Sequence, residues 1–101
     1  MDIAAVDVIA AKRDRHELTA AQITQIVAGY TAGEVAEEQM SALLMAILLN
    51  GMSGEEISRW TGAMLASGVR MDLAGVGRPT VDKHSTGGVG DKISLALAPL
   101  V

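Results

Sequence analysis

Apolar and polar positions alternate along this chain with helical spacing over its first two thirds, and then the spacing stops. From Ala4 to Asp14, Val6, Ile9 and Ala10 recur at helical intervals, and Lys12, Arg13 and Arg15 fall at the C-terminal end, where they complement the helix dipole. Thr19-Ala20-Ala21-Gln22 has the form of a capping box and opens a second helix with Ile23, Val27 and Tyr30 on one face. Gly29 lies near its end and Thr31-Ala32-Gly33 reads as the turn. The third helix, Ala36 to Asn50, is apolar all round: Met40, Leu43, Leu44, Ile47 and Leu48 form one face, while Met45, Ala46 and Leu49 cover the other. Such a helix is covered on every side, either as a central core helix or by a partner on one face. Asn50-Gly51 ends it by the left-handed route. Ser53-Gly54-Glu55-Glu56 is a second capping box. It starts a fourth helix with Ile57, Trp60, Met64 and Leu65 in one stripe, stopping at Ser67-Gly68. Trp60 reads as core packing and His16 as a solvated loop residue.

From Met71 to Pro79 the periodicity is lost, with two glycines and a proline, as in a linker. Thr80-Val81-Asp82 then reads as a short strand, and Lys92-Ile93-Ser94-Leu95-Ala96-Leu97-Ala98 as the start of a helix. Helices first, then strand, loop and helix, predict a mainly α segment joined to the beginning of an α/β domain. The expected division is a helical domain over 1–70, a linker or hinge over 71–79, and the start of the α/β domain over 80–101. A lone strand has nowhere to send its hydrogen bonds, and Ser94 to Val101 is apolar without a stop signal. The sequence therefore reads as the N-terminal part of something larger.

Composition narrows the class. The chain has 101 residues, half of them hydrophobic, with Tyr30 and Trp60 its only aromatics. One small domain with an aliphatic core is what that length and content permit. A formal charge of −4 argues against binding nucleic acid or an anionic membrane. The absence of cysteine removes disulfides and thiolate metal sites and is consistent with a cytoplasmic protein. The longest strictly apolar run, Ala42 to Leu49, is too short to span a bilayer.

Candidate chemistry is concentrated in one stretch, Val81 to Ser94. Gly87, Gly88 and Gly90 free the backbone to turn its N–H groups inward. Lys83 and Lys92 flank them, with Arg78 a little upstream. Ser85, Thr86 and Ser94 add hydroxyl donors, and His84 can exchange a proton near neutral pH. Together with the helix start after Asp91 this is the chemistry of a phosphate cradle. It matches neither common glycine-loop fingerprint: Asp91 stands where a Walker A loop carries Lys, and Ile93 where the dinucleotide pattern carries Gly.

The string Asp82-Lys83-His84-Ser85-Thr86-Gly87-Gly88-Val89-Gly90-Asp91 closely resembles the phosphate-binding loop of the thymidine and pyrimidine-nucleoside phosphorylase family. Upstream, Gln39-Met40-Ser41-Ala42, Asn50-Gly51-Met52-Ser53 and Ala63-Met64-Leu65-Ala66-Ser67-Gly68 are similar to the same family. The resemblance implies a small helical domain through which the protein forms a homodimer, and a large α/β domain across an active-site cleft. It implies phosphorolysis of thymidine, and of uridine in some members, to free base and pentose 1-phosphate. Phosphate is then a co-substrate, and no cofactor is expected. It assigns phosphate binding to Lys83, Ser85 and Ser94, and the nucleoside-facing proton donor to His84. The residues that recognise the base lie downstream of Val101 in that family, so this chain by itself is expected to be inactive. Some members bind potassium through the loop's last Gly carbonyl and a Thr two residues on. Here that pair is Gly90 and Lys92; a lysine cannot ligate the ion but could occupy its space, so no metal is expected. A weaker likeness is to anthranilate phosphoribosyltransferases, which want Gly where Ser85 stands and lack Lys-His-Ser. A helical association module without activity is the non-enzymatic alternative.

Overall fold

The computed structural model describes residues 2–101. They fall into two compact units, one ending at Arg70 and the other Met71–Val101.

The first unit holds four helices: α1 (Ala5–Arg13), α2 (Ala20–Thr31), α3 (Glu37–Asn50) and α4 (Gly54–Ser67). Their starts follow from local chemistry. Thr19 accepts from the Gln22 amide at 3.2 Å while the Gln22 side chain accepts from the Thr19 amide at 2.9 Å, completing the expected capping box. Ser53 and Glu56 form the second, at 3.1 and 2.8 Å. At α3 only half a box exists: Gln39 accepts from the Ala36 amide, and Ala36 has no oxygen to answer with.

The ends are set by carbonyl capping. At α2, Gly33 takes φ 78°. Its N–H donates to the Tyr30 carbonyl and that of Glu34 to the Gly29 carbonyl, which is the Schellman arrangement. α1 ends the same way, with Arg15 in the left-handed position at φ 66° where glycine is usual. Gly51 has φ 75° as expected, but ψ is extended, so a single bond from its N–H to the Ile47 carbonyl closes α3.

In this unit α2 packs on α4 and α1 on α3. The core is Ala5, Val8, Leu18, Ile23, Ile26, Val27, Val35, Met40 and Leu43, with Trp60 partly buried against it. Two stripe assignments need correction. In α1 the buried positions are Ala5, Val8 and Lys12, and Val6 faces solvent. In α2 the stripe is Ile23, Ile26 and Val27, and Tyr30 is exposed. Periodicity fixes a helix's spacing but not its rotation, which the neighbours decide. On α3 one face, Met40, Leu43 and Ala46, is buried, while Leu48 and Leu49 are 75% and 74% exposed. On α4, Ile57, Met64 and Leu65 are also exposed.

The core includes one charged pair. Lys12 and Glu56 are both buried, at 4% and 1% exposure. Burial raises the Glu56 carboxyl, but N–H donors from Leu18 and Ser53 and the Lys12 ammonium outweigh it, and its pKa is lowered.

The second unit has a 3-10 turn at Ala74–Val76, the helix α5 (Lys92–Leu97) and a 3-10 turn at Ala98–Leu100. No strand forms among the described residues, so the expected strand at Thr80-Val81-Asp82 is corrected to irregular backbone. A strand exists only with a partner to pair its N–H and C=O groups, and none is present in this segment. What is observed is therefore all-helical.

Candidate functional site

The loop of Lys83 to Ser94 is built from its glycines outward. Gly87 and Gly90 take φ 72° and 98°, conformations that a side chain would strain. The Gly90 N–H donates to the Gly87 carbonyl at 3.1 Å, closing a tight turn over 87–90. Gly88 has an ordinary φ, and open space lies where a Cβ would be. At the front of the turn the Gly87 N–H donates to Ser85 Oγ at 3.1 Å. At its far side Asp91 leads into α5, where the Ser94 N–H donates to the Asp91 carbonyl at 3.0 Å.

This folding brings the two ends of the loop together. Lys83 Nζ donates to Ser94 Oγ across eleven positions. Both serine hydroxyls thus serve as acceptors, of Lys83 and of Gly87, and each keeps its O–H proton to donate elsewhere. Lys83 keeps two further N–H donors. An anion near Lys83 and Ser94 would meet an ammonium and a hydroxyl donor together, the charge-assisted pattern that suits phosphate.

Lys83 and Ser94 also line a cavity of about 360 Å³ with Val81, Leu97, Ala98 and Val101. The apolar part of that lining was not among the sequence candidates. Leu97 had a legible signal, standing one helical turn after Ser94. Within the stretch 81–94, Lys83 and Lys92 are balanced by Asp82 and Asp91, so the loop carries no net formal charge. Arg78 lines a different cavity with Met71, Leu73 and Pro79, and Lys92 lines neither. His84 and Thr86 are exposed and Ser85 half-buried. Lys92 is exposed as well. No cluster of three or more His, Cys, Asp or Glu side chains that could hold a metal occurs among the described residues. No helix among them is long and apolar enough to cross a membrane.

Residues 6–68 match the helical bundle domain of the glycosyl transferase family. The chain belongs to that family. Within it, the chain is 61% identical over 94 residues to the thymidine phosphorylase of Mycobacterium tuberculosis (strain CDC 1551 / Oshkosh), covering 93% of this chain and 22% of that protein. It is 52% identical over 96 residues to the pyrimidine-nucleoside phosphorylase of Geobacillus stearothermophilus, covering 95% and 22%. A thymidine phosphorylase of Rhizobium meliloti is 47% identical over 95 residues, covering 94% and 22%. The likeness read from the loop to the thymidine and pyrimidine-nucleoside phosphorylases is borne out by these relatives. The chain spans about a fifth of the length of the curated relatives it matches.

Proposed function

We propose that this chain supplies the helical unit and the phosphate loop of a pyrimidine-nucleoside phosphorylase, which transfers the pentose of thymidine or uridine from the base to inorganic phosphate. The observation that carries the reading is the closure of Lys83 onto Ser94, with both hydroxyl protons of Ser85 and Ser94 left to donate. The names and identities of the relatives support the substrate class.

Phosphorolysis breaks the bond from C1′ to the pyrimidine nitrogen and forms one from C1′ to a phosphate oxygen. The bonding pair leaves with the base. In an oxocarbenium-like transition state neither bond is strong, so the protein's work is positioning and charge placement. Lys83, Ser85, Thr86, Ser94 and the Gly88 amide hold the phosphate dianion, and the Gly87 N–H joins them once it lets go of Ser85 Oγ. His84 gives a proton or a hydrogen bond to the departing pyrimidine. The helical unit forms a homodimer through the exposed apolar faces of α3 and α4. The active protein is cytoplasmic and needs the additional length its relatives have.

Release of free base from thymidine and uridine by the intact protein, followed with and without inorganic phosphate, tests the reading. Release that requires phosphate and yields pentose 1-phosphate is expected. Release indifferent to phosphate, or none at all, overturns it.

A further inference from the structure

Asn50 closes α3 and is followed by Gly51, the dipeptide most prone to lose its side-chain amide, because glycine leaves the following backbone nitrogen unobstructed. In that reaction the Gly51 nitrogen attacks Asn50 Cγ. A C–N bond forms, the side-chain nitrogen leaves as ammonia, and water opens the resulting cyclic imide to aspartate or isoaspartate. Only water is consumed.

Two sets of contacts oppose the first step. The Gly51 N–H donates to the Ile47 carbonyl at 2.7 Å, so the attacking nitrogen is occupied as the last bond of α3. Asn50 Nδ2 donates to the Lys12 and Arg13 carbonyls at 2.9 and 3.1 Å, so the leaving amide is clasped to the end of α1. Ring closure must break both. The same clasp decides what the product does. A carboxylate at position 50 has no proton to give and would face two carbonyl oxygens at the negative end of the α1 dipole. It would push α1 from α3, where Lys12 anchors the buried pair with Glu56.

We infer that Asn50 is a latent self-modification site: its deamidation is gated by opening of the α3 C-terminus, and the product loosens α1 from α3. Two measurements on the protein test this. Peptide mapping by mass spectrometry follows deamidation at Asn50 in folded and in guanidinium-unfolded protein at mildly alkaline pH. The folded rate is expected to be at least about tenfold lower, since the reactive form is a locally opened one. In parallel, Asn50→Asp is expected to unfold at a lower denaturant concentration than wild type. Equal rates in the two states, no modification even when unfolded, or a wild-type unfolding midpoint for Asn50→Asp overturns the inference.

Discussion

Lys12 Nζ lies 2.8 and 2.9 Å from the two carboxylate oxygens of Glu56, forty-four positions away, and both side chains are buried. The same carboxylate accepts from the Leu18 amide at 2.7 Å and the Ser53 amide at 2.8 Å. One side chain thus ties the end of α1, the segment leading into α2 and the cap of α4.

Removing either partner leaves the other charge buried without compensation. Glu56→Ala is expected to cost about 3–5 kcal/mol, most of a small domain's stability. The double variant Lys12→Met with Glu56→Leu should recover part of that loss, not all, because the Leu18 and Ser53 amides stay unpaired. Denaturant unfolding of the variants checks both. A Glu56→Ala protein as stable as wild type would show that the pair contributes nothing.

The lowered Glu56 pKa predicts the acid profile. A carboxylate that titrates lower in the folded state than in the unfolded one, where it sits near about 4.3, stabilises fully above the unfolded value. That stability is lost as pH falls through the folded value. Unfolding free energy should therefore be flat near neutrality and fall below about pH 4, and less steeply in Glu56→Gln. The Asp14 carboxyl is also lowered, by its hydrogen bond to Arg13, but that pair is exposed. Added salt should remove its part and leave that of Glu56. Identical acid profiles for wild type and Glu56→Gln would exclude the assignment.

Helix limits were legible from caps and punctuation. The boundaries read from sequence, Ala4–Asp14 and Ala36–Asn50, sit within one residue of those observed, and Thr19, Ser53 and Gly51 mark the starts of α2 and α4 and the end of α3 through contacts within a few residues. The pairing of Lys12 with Glu56 was not legible. Glu56 satisfies the capping-box pattern whether or not a distant lysine reaches it, and a helical lysine near a C-terminus is ordinarily solvated. The strand at 80–82 failed for the complementary reason, as its stability lies in a neighbour rather than in its own residues. At the loop, residue types were readable, but the meeting of Lys83 with Ser94 depends on the turn geometry of Gly87 and Gly90.

The exposed apolar residues of α3 and α4 predict association. Light scattering of the intact protein at micromolar concentration should give a dimer. Leu48→Glu with Leu49→Glu should give a monomer of unchanged helicity, because both side chains are about three-quarters exposed and contribute little to the unit's own core. A wild-type monomer at that concentration would rule out the dimer.

For the loop, Lys83→Ala should raise KM for phosphate much more than KM for the nucleoside. Only the first loses its countercharge, and a charge-assisted contact of this kind contributes about 1.5–3 kcal/mol, roughly ten- to a hundredfold in KM. Ser94→Ala should act in the same direction and more weakly, removing one hydroxyl donor while leaving the ammonium. Steady-state kinetics with each substrate varied in turn separates the two constants. An equal rise in both would mean that Lys83 supports the loop rather than the anion.

His84 lies between Lys83 and Ser85 in a stretch of irregular backbone. Its side chain is exposed, leaving both ring nitrogens accessible to a ligand. A pyrimidine leaving as an anion needs a proton or a hydrogen bond as the C1′–N bond breaks, and a protonated imidazole can give either. His84→Ala should then lower kcat by about 10²-fold with little change in KM for phosphate, the usual size of a lost acid–base contribution. The pH profile distinguishes proton donation from simple positioning. If His84 donates a proton, the pH–rate profile of the wild type should show a limb that the variant lacks. His84→Asn, which keeps a hydrogen-bond donor without a titrating group, should recover part of the rate and none of the pH dependence. A His84→Ala enzyme with wild-type kcat across the neutral range would assign charge stabilisation of the base to other groups and leave His84 a spacer between two phosphate ligands.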